Sequence, residues 1–174
     1  MSLTTTLRLS IAATVQAVMG VAPVTGKLTV APEYAWSDGS GPDQADLLYS
    51  ATLSIETGSP LVLNLSDGSL TDPLRRPVVF TRVRLVAIFP YGDAALPIRV
   101  GGAATHPWIA PFADAADPAG TIVRVEWEGA LLLLAPDAAG YPVVAGVSDQ
   151  LAIATDPAAT AQGTADLILI GTSA

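Results

Sequence analysis

Few residues in this chain could perform chemistry, and the pair Glu126 and Glu128 comes first. In the segment TIVRVEWE the two glutamates are two positions apart, so on a β-strand they share one face at about 7 Å. That separation suits the two carboxylates of an inverting glycosidase. The competing interpretation is a solvated strand face on which Arg124 is a nearby partner. The sequence favours it, because nothing in it indicates the cleft that acid catalysis needs.

Nucleophilic catalysis has little support. His106 is the only histidine, and it stands in ATHPWIAPF among proline and aromatic residues without a G-x-S-x-G motif anywhere in the chain. The chain has no cysteine, which excludes a thiolate nucleophile and a disulfide framework. We therefore predict a packing, loop or interface role for His106, and a protein that is not an enzyme.

Metal and cofactor sites are not predicted either. Asp38, Asp43 and Asp46 lie in the loop SDGSGPDQAD, and Asp114 and Asp117 lie in FADAADPAG. Oxygen-rich loops can hold Ca²⁺, but this spacing matches no EF-hand, and Asp before Gly or Pro ordinarily forms a turn. The glycine-rich VGGAATHPW lacks the lysine and the helix onset of a phosphate-binding loop.

The three tryptophans could stack on sugars if they were exposed together. Trp127 alternates with Val123 and Val125, which assigns it to the core face of its strand. Trp36 and Trp108 lie in loop-like segments, where an aromatic ring either anchors a loop or forms an interface contact. We predict an interface role for these two, with glycan stacking as the alternative.

The composition sets few charges against a large apolar load. Charged residues are 14% of the chain, against roughly 25% in an ordinary soluble domain, and the mean hydropathy is +0.49. A monomer with this balance would expose apolar patches, which predicts that other subunits cover part of its surface. An alanine-rich composition without patches is the alternative. The net charge of −8 opposes nucleic-acid binding.

The sequence predicts neither membrane insertion nor secretion. The apolar run Ala130–Ala135 is far shorter than the roughly 18 residues that a bilayer span needs. The N-terminal segment has no basic residue before Arg8, and Thr14 and Gln16 interrupt its apolar stretch, so it does not resemble a signal peptide. We expect synthesis in the cytosol.

Short β-type runs separated by Gly, Pro and Asp must position these residues. Nine of them follow residue 46, and this spacing is typical of an antiparallel β-sandwich or barrel. They are LLYSATLSIE, PLVLNLS, PVVFTRVRLVAIF, LPIRVGG, TIVRVEWE, GALLLLAP, YPVVAG, QLAIAT and ADLILIGT. We predict an all-β domain over residues 47–174, a jelly-roll-like sandwich whose last run is fixed in a sheet.

Two of the runs depart from simple alternation. FTRVRLVAIF places Arg82 and Arg84 on the face that later carries Val86 and Ile88, so this strand begins at a polar surface and continues under a loop or a subunit. Leu131–Leu134 do not alternate at all, which predicts a strand buried on both faces. One face would meet the opposing sheet, and the other an arm or a neighbouring chain.

Residues 1–46 are predicted to form an N-terminal arm and linker. Thr4–Ile11 alternates at Leu7, Leu9 and Ile11, which indicates a strand and a candidate interface. The segment that follows, SIAATVQAVMG, fits a helix as well as a strand, and the sequence does not decide between them. Such an arm suits attachment to a neighbour by strand addition.

From the linker onward the sequence resembles a group of small tailed-bacteriophage virion proteins. The matching stretches are GSGPDQADLLYSATLSI, TRVRLVAIF…IRVGGAA, VEWEGALLLLAPDAAGYPVVAGVSDQLAIA and ADLILIGTSA. The resemblance implies a homotrimeric sandwich module without catalytic residues, located in the virion after assembly in the host cytoplasm. Its expected role is capsid decoration or cement, in contact with the major capsid protein or other virion proteins. A fibre or tail-associated receptor-binding module is the alternative.

Overall fold

The structure is a computed structural model that describes residues 3–19, 22–92, 96–101, 103–112, 122–137, 139–157 and 159–173. For residues 15–19 and 22–26 it describes the backbone alone. Within these ranges the chain forms β-strands and no helix, which confirms the all-β class predicted from the sequence. None of the described segments is therefore a helix that could cross a membrane.

The strands are β1 (Thr5–Arg8), β2 (Ile11–Met19), β3 (Ala22–Val30), β4 (Glu33–Trp36), β5 (Leu47–Ile55), β6 (Leu61–Asn64), β7 (Leu70–Thr71), β8 (Pro77–Val78), β9 (Arg82–Tyr91), β10 (Ile98–Gly101), β11 (Ile122–Val125), β12 (Leu131–Leu134), β13 (Tyr141–Pro142), β14 (Gln150–Thr155) and β15 (Gly163–Thr172).

Two antiparallel sheets form the body of the molecule. One has the order β12-β9-β15-β5, with β13 also paired to β9, and the other has the order β11-β10-β14-β6. The C-terminal run, β15, lies between β9 and β5, so the prediction that it is fixed in a sheet is confirmed. A short hairpin, β7–β8, stands apart from both sheets.

The two sheets share one apolar core, because alternation along each strand sends every second side chain inward. On β15 the inward positions include Leu167 and Leu169, and on β14 they include Leu151 and Ile153; all four side chains are fully buried in the same cluster. Trp108, from the segment between β10 and β11, fills the same core.

A β-bulge on β9 corrects the predicted face of Arg84. Val83 and Val86 are three positions apart, yet both belong to the central core, and the pairing with β15 shifts register opposite this point. An extra residue in one strand accounts for both observations. Arg84 therefore does not share a face with Val86 and Ile88 as predicted; it is fully buried beneath two loops, which agrees with the prediction of a strand that runs under cover.

The leucine run of β12 meets a different apolar layer on each face, as its lack of alternation predicted. Leu131 and Leu133 pack against the central core between the sheets. Leu132 and Leu134 pack against a second cluster on the outer side of the five-stranded sheet. All four side chains are half-buried.

The N-terminal strands form one long two-stranded ribbon. β1 pairs with β4 and β2 pairs with β3, and the register that pairs Thr5 with Trp36 continues without a shift to Met19 and Ala22. We call residues 5–19 and 22–36 the β-ribbon. The segment whose conformation the sequence left open is extended, as strand β2.

Candidate functional site

One face of the β-ribbon is apolar from the pair of Leu7 and Tyr34 outward. Residues paired directly across an antiparallel ribbon share a face, and the faces alternate along each strand. The apolar pairs on this face are Leu7 with Tyr34, Leu9 with Pro32, Ile11 with Val30, and Ala13 with Leu28. The alternate register positions beyond them pair Val15 with Gly26, Ala17 with Val24 and Met19 with Ala22, all apolar in type.

The end of this face nearest the body is covered by the five-stranded sheet. Leu7 and Tyr34 pack there with Trp36, which is 1% exposed and stacks on Tyr34 at a ring-centroid distance of 6.5 Å. We call these three residues the ribbon base. The sheet residues that they cover are Leu48, Leu85, Leu132, Leu134, Ile168 and Ile170.

The same face is uncovered further out. Leu9, Ile11, Leu28 and Val30 are 39%, 52%, 58% and 46% exposed, and we call these four residues the outer ribbon face. In the described structure β2 and β3 pack extensively only against one another. A two-stranded hairpin is marginally stable in water, so an exposed apolar face on one indicates an interaction site.

The opposite face of the ribbon is polar. Arg8 pairs with Glu33 through an exposed salt bridge of 3.0 Å, and further out Thr14 faces Lys27. Residues 5–36 contain two cations and one anion, a net charge of +1. Because the whole chain has a net charge of −8, the remaining residues together have a net charge of −9. A weakly cationic ribbon therefore projects from an acidic body.

Arg84 holds the segment that connects the ribbon to the body. Its guanidinium donates to the carbonyl oxygens of Ser40 at 3.2 Å and Gly41 at 2.8 Å, in the linker. It also donates to the carbonyl oxygens of Pro136 and Asp137, in the loop between β12 and β13. Burial lowers the pKa of the Arg84 guanidinium below its ordinary value. The arginine thus ties two loops together with neutral acceptors.

A cleft of about 640 Å³ lies beside the ribbon base, between the linker and the β7–β8 hairpin. Its three carboxylates are engaged in holding the backbone. Asp38 accepts from the backbone N–H of Leu3, and Asp46 accepts from the backbone N–H and hydroxyl of Ser173. The third, Asp72, accepts from Arg76. The arrangement fixes loops and termini and is not an acid–base pair.

Asp72 organises the turn of this hairpin. One carboxylate oxygen accepts the backbone N–H groups of Leu74 and Arg76, and the other accepts the Arg76 guanidinium, at 2.7 Å from Nε. The hydrogen bond from the Arg76 backbone is the main cause that lowers the pKa of Asp72 below 3.8, and the guanidinium adds to it.

The glutamate pair lies in a solvated turn. Strand β11 ends at Val125, so neither Glu126 nor Glu128 is on a strand, and the prediction that they share a strand face is wrong. Arg124 bonds Glu126 at 3.0 Å with both side chains exposed, which confirms the interpretation that Arg124 is the partner of a solvated glutamate. Neither carboxylate lines the cleft between Asp46 and the β7–β8 hairpin or the smaller cleft around Arg99 and Ala154.

His106 lies in a loop, close to a buried carboxylate. Its Nδ1 is 4.0 Å from Asp149 Oδ1, and Asp149 Oδ2 accepts the Ser66 hydroxyl at 2.8 Å. In a catalytic triad the imidazole stands between the hydroxyl and the carboxylate. Here the carboxylate stands between the other two, so Ser66 cannot transfer its proton to His106. The His106 carbonyl also accepts the backbone N–H groups of Asp149 and Gln150, which fixes the loop.

The tryptophans do not form a sugar-binding surface. Trp36 and Trp108 are each 1% exposed, and Trp108 donates its indole N–H to the Pro142 carbonyl at 2.8 Å. The prediction that Trp127 lies on the core face is wrong, because its strand ends two residues earlier and the chain turns at Glu128, whose φ is +56°. Trp127 is 36% exposed and donates to the Gly92 carbonyl.

The described ranges contain no group of three acidic or histidine side chains that could hold a metal ion. Asp43 adopts a left-handed turn conformation, with φ of +53°. Asp114 and Asp117, the other candidates for Ca²⁺, lie outside the described residues.

The candidate interface residues divide by their surroundings. Leu9 and Ile11 belong to the outer ribbon face, and His106 is exposed in its loop. Trp36 and Trp108 are instead buried in packing contacts within the chain. Leu7 packs in the ribbon base. Sequence reasoning missed Leu28 and Val30, which alternate in KLTV and are the cross-strand neighbours of the residues that it found. Comparison with protein-family models, curated proteins and solved structures finds no match for this chain.

Proposed function

We propose that this chain is a non-enzymatic structural protein of a tailed-phage virion, and that its β-ribbon is the element through which it assembles. The observation that carries the proposal is the outer ribbon face, an apolar surface that projects from the body and has no cover in the described chain. Within that role we propose capsid decoration, with the protein attached to the shell as a homotrimer.

The architecture proposed with this function is a jelly-roll-like sandwich of residues 47–174 and an N-terminal arm of residues 1–46. The shared core of the two sheets supports the sandwich. The continuous register of the β-ribbon supports an arm that extends from the body toward a neighbour. The virion location rests on the resemblance of the sequence to phage virion proteins, to which the comparisons add nothing.

Truncation of the whole arm would be an ambiguous test. Removal of residues 1–36 would take away the ribbon base and expose the layer around Leu85, Leu132 and Ile170, so the body itself could fail. A better variant replaces residues 12–29 with Asn-Gly, a pair that forms two-residue hairpin turns. Such a turn closes on a hydrogen-bonded pair, and the bond from the Leu9 N–H to the Pro32 carbonyl makes Ile11 and Val30 the next such pair along the ribbon. The turn therefore removes Leu28 and the strands beyond it while the ribbon base stays in place.

The test compares this shortened chain with the full chain in particles made by the host that carries the gene. We expect peptide quantification to find the full chain in purified particles at a copy number on the order of that of the major capsid protein. The shortened chain should be soluble and folded but depleted from particles. If the full chain is absent from purified particles, the virion proposal is wrong.

The fibre or tail alternative predicts few copies per particle, so the same quantification separates it from decoration. The structure gives no support to a receptor-binding module that stacks Trp36 and Trp108 on a glycan, because both rings are buried.

A further inference from the structure

We infer that the part of the five-stranded sheet's outer face that the ribbon base leaves uncovered binds a neutral glycan. The inference goes beyond the proposed function and uses no residue of the β-ribbon. The juxtaposition that carries it is a pair of exposed aromatic rings beside a carboxylate and three hydroxyl groups. We call this surface the sheet patch, and its residues are Thr52, Ser54, Phe89, Tyr91, Thr164 and Asp166.

The strand register arranges the sheet patch in two rows across three strands. One row, on β9, β15 and β5, is Phe89, Asp166 and Thr52. The other row, two residues along the strands, is Tyr91, Thr164 and Ser54. The residues between the rows alternate with them and belong to the central core, as Leu53 and Ile88 do, so the side chains of both rows lie on the outer face.

The two aromatic rings are open to solvent. Phe89 and Tyr91 are 41% and 42% exposed, although Leu85, on the same face of β9, is buried beneath the ribbon base. The two residues are about 7 Å apart along one strand, so their rings form one border of the sheet patch. The C–H face of a sugar ring can pack against such rings and remove their apolar surface from water.

Asp166 supplies the hydrogen-bond acceptor next to the rings. Its Oδ1 accepts the Thr52 hydroxyl at 2.6 Å and the Tyr91 hydroxyl at 3.4 Å. Its Oδ2 accepts a bond from none of the described residues, which leaves this oxygen for the hydroxyl donors of a ligand. The hydroxyls of Ser54 and Thr164 in the other row can both donate to and accept from a sugar.

Charge excludes several other classes of ligand. The sheet patch has one carboxylate and no cation, and the whole chain has a net charge of −8. Acidic polysaccharides, nucleic acids and anionic lipids would therefore be repelled. A purely apolar ligand would desolvate the Asp166 carboxylate without giving it a donor.

The area of the sheet patch separates a glycan from a protein partner. Two rows on three strands cover on the order of 100 Å². A protein partner in a stable interface buries about 800 Å² on each side. A short oligosaccharide fits the smaller area, and it combines apolar ring faces with hydroxyl groups as the sheet patch combines rings with oxygen atoms.

Native electrophoresis in gels that contain a soluble polysaccharide tests the inference, because the charge of −8 makes the chain migrate toward the anode. The neutral probes are dextran, laminarin and galactomannan, and the acidic probe is polygalacturonate. We expect at least one neutral probe to retard the natural chain in proportion to its concentration. Polygalacturonate should not retard it.

Two variants place the binding on the sheet patch. Phe89→Leu keeps an apolar side chain but removes the ring, and it should weaken the apparent affinity at least about tenfold. Asp166→Ala removes the acceptor and should have an effect of about the same size.

Each variant has a matched control outside the sheet patch. Val62→Ala truncates a side chain that is 43% exposed on β6, in the other sheet, and Glu126→Ala removes an exposed carboxylate. Both controls should stay within about twofold of the natural chain. Circular dichroism checks that every variant is folded, and the two patch variants are independent of one another.

Three outcomes overturn the inference and leave the proposed function standing. The first is that none of the neutral probes retards the natural chain. The second is that retardation is the same in Phe89→Leu and Asp166→Ala, which would place the sugar elsewhere. The third is that the patch variants bind no less sugar but are depleted from particles, which would make the sheet patch a contact with a virion protein. The particle quantification of the natural chain decides the virion role in every case.

Discussion

At its base, the ribbon face packs Leu7 and Tyr34 against the five-stranded sheet; four residues further along β1 and β2, Ile11 and its partner Val30 are about half exposed. Both stretches have the same alternation, the same register and the same residue types. They differ in whether the body extends beneath them. Apolar alternation thus identifies the face of a strand, while the cover of that face depends on residues far away in the sequence or in another chain.

The largest expected effect lies at the ribbon base. Trp36→Ala removes a large buried side chain and should lower the free energy of unfolding by about 3–5 kcal/mol. Urea denaturation followed by circular dichroism measures it. The control is Trp127→Ala, at a ring that is 36% exposed, which should cost less than about 1.5 kcal/mol. Equal losses at the two positions would mean that the ribbon base is not part of the folded body.

Arg84→Met tests how the ribbon is held to the body. The variant leaves the linker and the β12–β13 loop without their shared donor, and it also removes a charge that is costly to bury. The lost hydrogen bonds are to a charged group, so we expect a net destabilisation of about 2 kcal/mol in the same urea assay. Arg82→Met, which loses one exposed bond to the Ala139 carbonyl, is the control. An Arg84→Met protein as stable as the natural chain would show that these loops hold the ribbon without it.

The sequence predicted the all-β class because turn residues separate its strand runs at regular spacing. It also predicted the two-sided cover of Leu131–Leu134, since a strand without alternation has no polar face to leave in water. It could not place Arg84, because a one-residue bulge reverses the alternation and leaves no signature in the local sequence.

The sequence predicted only two of the four residues of the outer ribbon face, for a related reason. Leu9 and Ile11 stand out by alternation, but their cross-strand partners Leu28 and Val30 become part of the same face only once the hairpin register is known. Trp127 shows the opposite failure, because the alternation of Val123 and Val125 continues in the sequence to Trp127 although the strand ends at Val125. Periodicity predicts faces within an element and does not reveal where the element stops.

A smaller effect should separate the two parts of the ribbon face directly. At protein concentrations low enough to exclude association, Leu7→Ala should lower the free energy of unfolding by about 1–2 kcal/mol, because Leu7 is half-buried in the ribbon base. Ile11→Ala should change it by less than about 0.5 kcal/mol, since Ile11 is 52% exposed. The difference between the two should shrink at high concentration, where association would stabilise the outer ribbon face. A difference that does not change with concentration would argue against any cover there.

The smallest effect is a pH dependence beside the ribbon base. Hydrogen bonds from the backbone N–H groups of Arg76 and Leu74, and the Arg76 guanidinium, hold the pKa of Asp72 below 3.8. A carboxyl group whose pKa is lowered by folding contributes stability above its unfolded pKa and loses it as pH falls through the folded value. The natural chain should therefore exceed Asp72→Asn in stability at pH 7, and the difference should narrow below about pH 4. Urea denaturation at pH 7 and pH 3 measures the difference in the free energy of unfolding between the two proteins. An equal difference at both pH values would mean that Asp72→Asn destabilises through altered hydrogen-bond geometry and not through the lost charge.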